Sequence, residues 1–174
     1  MVVIFFIAAA VTIISTILVI THTEAVHALL YLVVSLLSIA LIFYLLGAPF
    51  IAALEVIIYA GAIMVLFVFV VMMVDLRPER PRRSAWTSPR AWAGPAALSL
   101  ILLGEFLAAL TARAARRLGP GPVPPKAVGL SLFGTYLLGV ELAAMLLLAA
   151  VVGAFHLGSR RQASHHRFFE EGPR

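Results

Sequence analysis

The chain has 174 residues, of which 63% are hydrophobic and 12% charged, with a mean hydropathy of +1.07 and a net charge of +5. A soluble domain charges roughly a quarter of its residues to solvate its surface, so half that supply, gathered into a few segments, points to lipid as the main solvent. The absence of Cys excludes a disulfide framework, a thiolate metal site and a cysteine nucleophile, and the thirteen basic residues lie in linkers and the tail rather than along one folded face, which excludes nucleic acid as a partner.

The first apolar run, residues 2–20, contains no charge. A secretory signal would start with a basic stretch and end at a small-residue cleavage site followed by polar sequence; here a second apolar run follows within a few residues, so a retained helix is expected. Thr21-His22-Thr23-Glu24 separates it from a second span over 28–46, with Thr23 as the expected N-cap. Gly47-Ala48-Pro49 is a tight joint, Gly ending one helix and Pro opening the next, before a third span over 50–74. Arg77-Pro78-Glu79-Arg80-Pro81-Arg82-Arg83 is a proline-broken polar loop before a fourth span at 92–110. Gly119-Pro120-Gly121-Pro122 with Pro124-Pro125 forms a stiff, extended loop, and a fifth span follows at 131–157. Each run is long enough to cross a bilayer, since 20 helical residues span about 30 Å and a backbone in lipid must satisfy its own hydrogen bonds. No ten-residue alternation appears, which excludes a β-barrel. The expected fold is an all-α integral membrane protein: residues 1–158 as a single five-helix transmembrane domain, and 159–174 as a polar cytoplasmic tail.

Five helices put the 75–90 loop and the tail on one side with nine Arg, against four basic residues (Arg113, Arg116, Arg117 and Lys126) on the other. Positive residues favour the cytoplasm, so the N-terminus is expected outside and the C-terminus in the cytoplasm.

Three carboxylates fall inside spans: Glu55, Glu105 and Glu141. An ionisable residue at membrane depth is costly and by default faces the protein interior with a role. In the expected orientation all three lie in the outer half of the membrane, where the plain reading is snorkelling to the headgroups and the sharper one is a hydrated, proton-exchanging acidic cluster. Span three is the most informative. Glu55 and Tyr59 are four residues apart, close enough on a helix face to hydrogen-bond. The patch Ala60-Gly61-Ala62 follows, then the bulky run Met64-Val65-Leu66-Phe67-Val68-Phe69. Gly in mid-membrane permits close packing, and equally a local break such as a π-bulge.

His22, Glu24 and His27 supply too few ligands for a metal; His165 and His166 belong to the tail, and His156 to the end of span five. With no dinucleotide fingerprint, P-loop or serine elbow, no catalytic residue and no bound cofactor or metal is assigned to this chain.

The stretch Glu55-Val56-Ile57-Ile58-Tyr59-Ala60-Gly61-Ala62-Ile63-Met64-Val65-Leu66-Phe67-Val68-Phe69-Val70 closely resembles the signature helix of the subunit J family of proton-pumping NADH–quinone oxidoreductase, respiratory complex I. Ile20–Tyr31, Lys126-Ala127-Val128-Gly129 and Val140–Leu148 agree with it in order and spacing, so the resemblance covers roughly 15–158; Glu105 has no counterpart in it. The resemblance implies a five-helix subunit of the membrane arm in the bacterial inner membrane, beside quinone-module and antiporter-like subunits, in a complex that uses NADH, FMN, iron–sulfur clusters and quinone on other chains. It implies that the third helix switches between π-bulged and regular forms to couple quinone chemistry to water access. Tyr59, Gly61, Met64, Val65 and Phe67 are then the gating candidates, with Glu55 and Glu141 contributing to hydration or proton transfer. A stand-alone proton or cation transporter is the alternative, but internal repeats and broken helices about a midplane site are missing. A small membrane enzyme ranks last, for want of any nucleophile, metal or acid–base pair.

Overall fold

The computed structural model describes residues 2–73, 89–111 and 121–159, and every regular element among them is a helix. In chain order these are α1 (Val2–Thr21), α2 (Ala25–Leu45), α3 (Pro49–Leu54), a π-helical segment (Glu55–Ile63), α4 (Met64–Met73), α5 (Pro89–Thr111), α6 (Pro125–Leu132) and α7 (Leu137–Gly158). The segments α3, π and α4 run on without interruption. Five stretches among the described residues are long and apolar enough to cross a membrane: Val2–Thr21, Ala25–Leu45, Pro49–Met73, Trp92–Thr111 and Leu137–Gly158. They meet the five expected spans, while most of the 77–90 loop and of the tail lies outside the described residues. The chain divides into two compact units, Met1–Pro125 and Lys126–Arg174.

In the first unit, α1 and α2 form the tightest pair, and small polar residues explain the approach. Ala8, Ser15 and Ser38 are fully buried, with Ser35 nearly so. Ser38 donates across the interface to the Ala8 carbonyl at 2.8 Å, and the Thr16 and Ser35 hydroxyls share a bond of 2.9 Å. Lipid tails are as apolar as leucine, so helices in a membrane are held by close packing of small residues and by such bonds, worth about 0.6–2 kcal/mol each. Ser15 and Thr12 turn back onto carbonyls of their own helix, Val11 and Ala8, satisfying hydroxyls that have no water. α5 lies against this pair: Leu102 and Ala109, with Leu98, join Ala8, Val11, Val34, Leu41 and Leu45 in one apolar cluster.

The α2–α3 corner follows from two residues. Gly47 has φ +87°, the left-handed conformation that ends a helix at little cost only for glycine. The Ala48 N–H bonds to the Phe43 carbonyl at 3.0 Å and the Gly47 N–H to that of Tyr44 at 3.2 Å, the paired closure of a Schellman motif, and Pro49 opens α3. After α5 the chain returns to this corner, where the Val123 N–H reaches the Gly47 carbonyl at 3.0 Å. A Cβ on Gly47 would stand 3.0 Å from the Gly121 carbonyl oxygen. At the other joint the expectation is corrected: Glu24, not Thr23, is the N-cap of α2, because helix begins two residues after Thr23 and Glu24 holds the extended backbone (φ −94°, ψ 115°) of the cap position.

In the second unit the run expected as one span from 131 is broken at 133–136, and the long helix starts at Leu137. The Tyr136 N–H reaches back five residues to the Ser131 carbonyl at 3.0 Å, so the ladder loses register. Only glycine fits at 134, since a Cβ there would lie 2.6 Å from the Leu130 carbonyl oxygen.

Two glycines of α5 set a paired expectation. A Cβ at Gly94 would collide with the Tyr31 hydroxyl and stand 3.2 Å from its ring carbon, whereas one at Gly104 meets nothing within 4 Å. Gly94→Val forces α5 off α2 at a cost of about 1–3 kcal/mol. Gly104→Ala stays within about 0.5 kcal/mol. Thermal unfolding of the two variants in the same detergent, followed by circular dichroism, separates them.

Candidate functional site

The third span carries the feature that sets this chain apart from a plain bundle. At its entry the Glu55 N–H still reaches the Ala52 and Ile51 carbonyls, within α-helical reach. At its exit the Met64 N–H reaches the Tyr59 carbonyl, five residues back, as well as that of Gly61. Between them, nine residues (Glu55–Ile63) follow the wider i→i+5 course. Such segments are rare and appear mostly at functional sites, because the wider turn leaves fewer contacts along the axis while keeping every backbone group paired. Gly61 makes the course possible. A Cβ there would lie 3.2 Å from the Val56 carbonyl oxygen, again five residues back, a contact created by the π register itself.

The side chains divide around this axis. Met64, at 2% exposed, is the buried anchor of α4, which packs against α2 and the π segment. Tyr59, Val65 and Phe67 are all at least half exposed on the first unit, as is Ile57, with Val56 and Ile58 exposed beside them. Glu55 is half-buried at the start of the segment. Six of the candidates thus lie along one continuous helix, with Met64 turned inwards and the aromatic residues outwards. No hydrogen bond joins Glu55 and Tyr59 among the described residues, since a π course brings residues five apart into line rather than four. Glu141 is in α7 of the second unit, and exposed there.

For Glu105 the structure decides between the two readings the sequence leaves open. It is not snorkelling: the residue is 6% exposed, and both carboxyl oxygens are buried with no hydrogen-bond partner among the described residues. The spacing Leu98-Leu102-Glu105-Ala109, one helix face with a small residue at its end, is the signal that would have placed it inside. His27, which the sequence offers only as one of too few ligands for a metal, is also enclosed. It is 5% exposed, stacks on His22 with ring centroids 5.3 Å apart, and meets the Trp92 edge at 5.9 Å, while His22 also tilts against Tyr31 at 5.9 Å. His27 and Tyr31, four residues apart on α2, mark that face in the sequence.

Among the described residues no group of three or more His, Asp or Glu side chains gathers as a metal site would require. A cavity of about 830 Å³ opens between α2, α3 and α5, walled by residues such as Leu37, Leu41, Ala52, Val56 and Leu102. So apolar a wall suits hydrocarbon or an apolar helix face rather than a polar substrate.

Fold and site together define a polytopic helical membrane protein whose distinctive element is a π-helical third span. Residues 15–157 match the family described as NADH-ubiquinone/plastoquinone oxidoreductase chain 6, and the chain belongs to that family. A relative from Pseudomonas aeruginosa, named NADH-quinone oxidoreductase subunit J, is 57% identical over 159 residues, covering 88% of this chain and 94% of its own length. The protein of the same name from Escherichia coli is 51% identical over 160 residues, covering 91% and 87%. One from Buchnera aphidicola is 45% identical over 160 residues, covering 91% and 98%.

Met64 offers the sharpest test of the packing. Met64→Ala empties a fully enclosed position and lowers stability by about 2–5 kcal/mol. Phe67→Ala, on the exposed face, changes the isolated chain far less but weakens its retention by membrane partners. Thermal unfolding of the purified chain reads the first effect, and recovery of co-purifying subunits reads the second.

Proposed function

We propose that this chain is a non-catalytic membrane-arm subunit of a proton-translocating NADH–quinone oxidoreductase, and that its third span couples quinone chemistry to proton movement. The single observation that carries the coupling role is the π segment at Glu55–Ile63, seated on Gly61 at the motif that the sequence resemblance picks out. Physically the device is simple. Converting π to α removes one residue from the wide turn and rotates α4 relative to α3, so Val65, Phe67 and the residues beside them sweep across the face they share with neighbouring subunits. Bulky apolar side chains so moved admit or exclude water, and water is what lets protons pass a hydrocarbon core. Glu55 at the mouth of the segment and Glu141 on α7 serve as hydration or proton-transfer groups in this scheme, and Tyr59 as the polar group on the moving face.

The reading places the chain in the bacterial inner membrane, N-terminus outside and C-terminus in the cytoplasm, with residues 1–158 working as one five-helix domain. Its neighbours are the quinone-module and antiporter-like subunits. NADH, FMN, iron–sulfur clusters and quinone are handled by other chains; this one has no cysteine with which to hold a cluster.

Gly61→Val tests the coupling role. The added side chain crowds the Val56 carbonyl and disfavours the π form by about 1–3 kcal/mol, enough to shift a two-state equilibrium at least severalfold. The expected result, in inverted membrane vesicles, is an assembled complex that oxidises NADH with fewer protons translocated per electron. Wild-type stoichiometry in the Gly61→Val complex would rule out the π segment as the coupling element. Deleting the chain is expected to abolish assembly or NADH-linked quinone reduction altogether.

A further inference from the structure

Glu105 has no part in the third-span account, yet it is the most conspicuous polar group in the first unit. Both its oxygens are buried with no hydrogen-bond partner among the described residues, and only 6% of the residue is exposed. Its neighbours on the same face of α5, Leu102 and Ala109, pack into the cluster with Ala8, Val11, Leu41 and Leu45. α1, packed against α5, carries no ionisable side chain between Val2 and Thr21. α2, also packed against it, offers only His27, Tyr31 and Tyr44, with no Lys or Arg. Within α5 the other ionisable residue is Arg90 in the first turn, roughly 22 Å away along the helix axis.

A buried carboxyl group with no Lys, Arg or hydrogen-bond donor beside it among the described residues is costly in hydrocarbon, and an apolar residue of similar volume would fill the site at less cost. The group has one property such a residue lacks, which is the ability to bind a proton. Polar atoms line the α1–α2 interface. Ala8, a member of the same cluster, lends its carbonyl to the Ser38 hydroxyl at 2.8 Å and to Thr12 at 2.9 Å, and the hydroxyls continue through Ser15, Thr16 and Ser35 along the α1–α2 interface.

We propose that Glu105 is a second proton-exchange site of this subunit, inside the α1–α2–α5 packing and separate from the third span. The carboxylate takes up one proton to become the neutral acid in the enclosed state, and releases it when helix movement opens the site to water along the hydroxyl-lined interface. No other bond is made or broken.

Two measurements on the assembled complex in native membranes decide it. Dicyclohexylcarbodiimide is an apolar reagent that adds to protonated carboxyls in hydrocarbon. The peptide bearing Glu105 is expected to gain the mass of the reagent, with labelling that falls as pH rises and is absent in E105Q. This arm is independent of the proposed function. The second arm rests on it: E105Q translocates fewer protons per NADH oxidised, and E105D restores the ratio. Unlabelled Glu105 in the native complex overturns the proposal, as does an assembled E105Q complex with the native ratio. If E105Q does not assemble, the pH profile of labelling on the native chain still decides the matter. Absence of complex partners around the native chain would count against the proposed function alone, while labelling would still report on Glu105.

Discussion

In hydrocarbon a backbone N–H or carbonyl without a partner costs several kcal/mol, and every feature of this protein is arranged around that demand. It makes each span a helix, and it decides what kind of irregularity a span can hold. A loop in mid-membrane would strand its polar groups. A π segment does not: it moves each N–H to a carbonyl one residue further back and absorbs the extra residue in a wider turn. The third span therefore contains a place that differs from its surroundings in twist without losing hydrogen bonds. That is the property a two-state element needs, because the α and π forms are separated by small packing terms rather than by broken bonds.

Those packing terms are set by residues on either side of the segment. Gly61 removes the one Cβ that would crowd the Val56 carbonyl, and Met64 pins the start of α4 in the interior. The opposite face is bulky, apolar and exposed, as an unpartnered helix face in this chain. The α1–α2 pair contrasts with it. Small residues and interhelical hydroxyl bonds hold those helices close, so the third span packs beside a tightly joined pair.

Much of this was legible in the sequence, and the reasons are physical. Apolar length with no charge fixes a span whatever its neighbours are, so the five spans could be read directly. Gly47 and Pro49 marked a corner because one tolerates positive φ and the other lacks an N–H, and both roles are met in the Schellman closure and the start of α3. The π course around Gly61 was legible as a permission rather than as a fact, since a mid-membrane glycine also suits plain close packing. What stayed hidden depends on tertiary contact. Whether Glu105 reaches the headgroups or turns inwards is decided by which face of α5 meets α1 and α2. The break at 133–136 brings the backbone at Gly134 so close to the Leu130 carbonyl that a Cβ would not fit, a closeness that no composition reveals. The α2 cap shifted from Thr23 to Glu24 because Ser and Thr preferences are weaker than the tertiary packing that sets where a helix starts.

If this chain works only as part of a larger oxidoreductase, its company in the membrane shows it most directly. The chain is affinity-tagged at its C-terminus, extracted in a gentle detergent, and everything that co-purifies is identified and quantified by mass spectrometry. Quinone-module and antiporter-like subunits are expected in equal amounts with the tagged chain. A chain that arrives alone, and that conducts protons or cations by itself in proteoliposomes, would contradict that expectation.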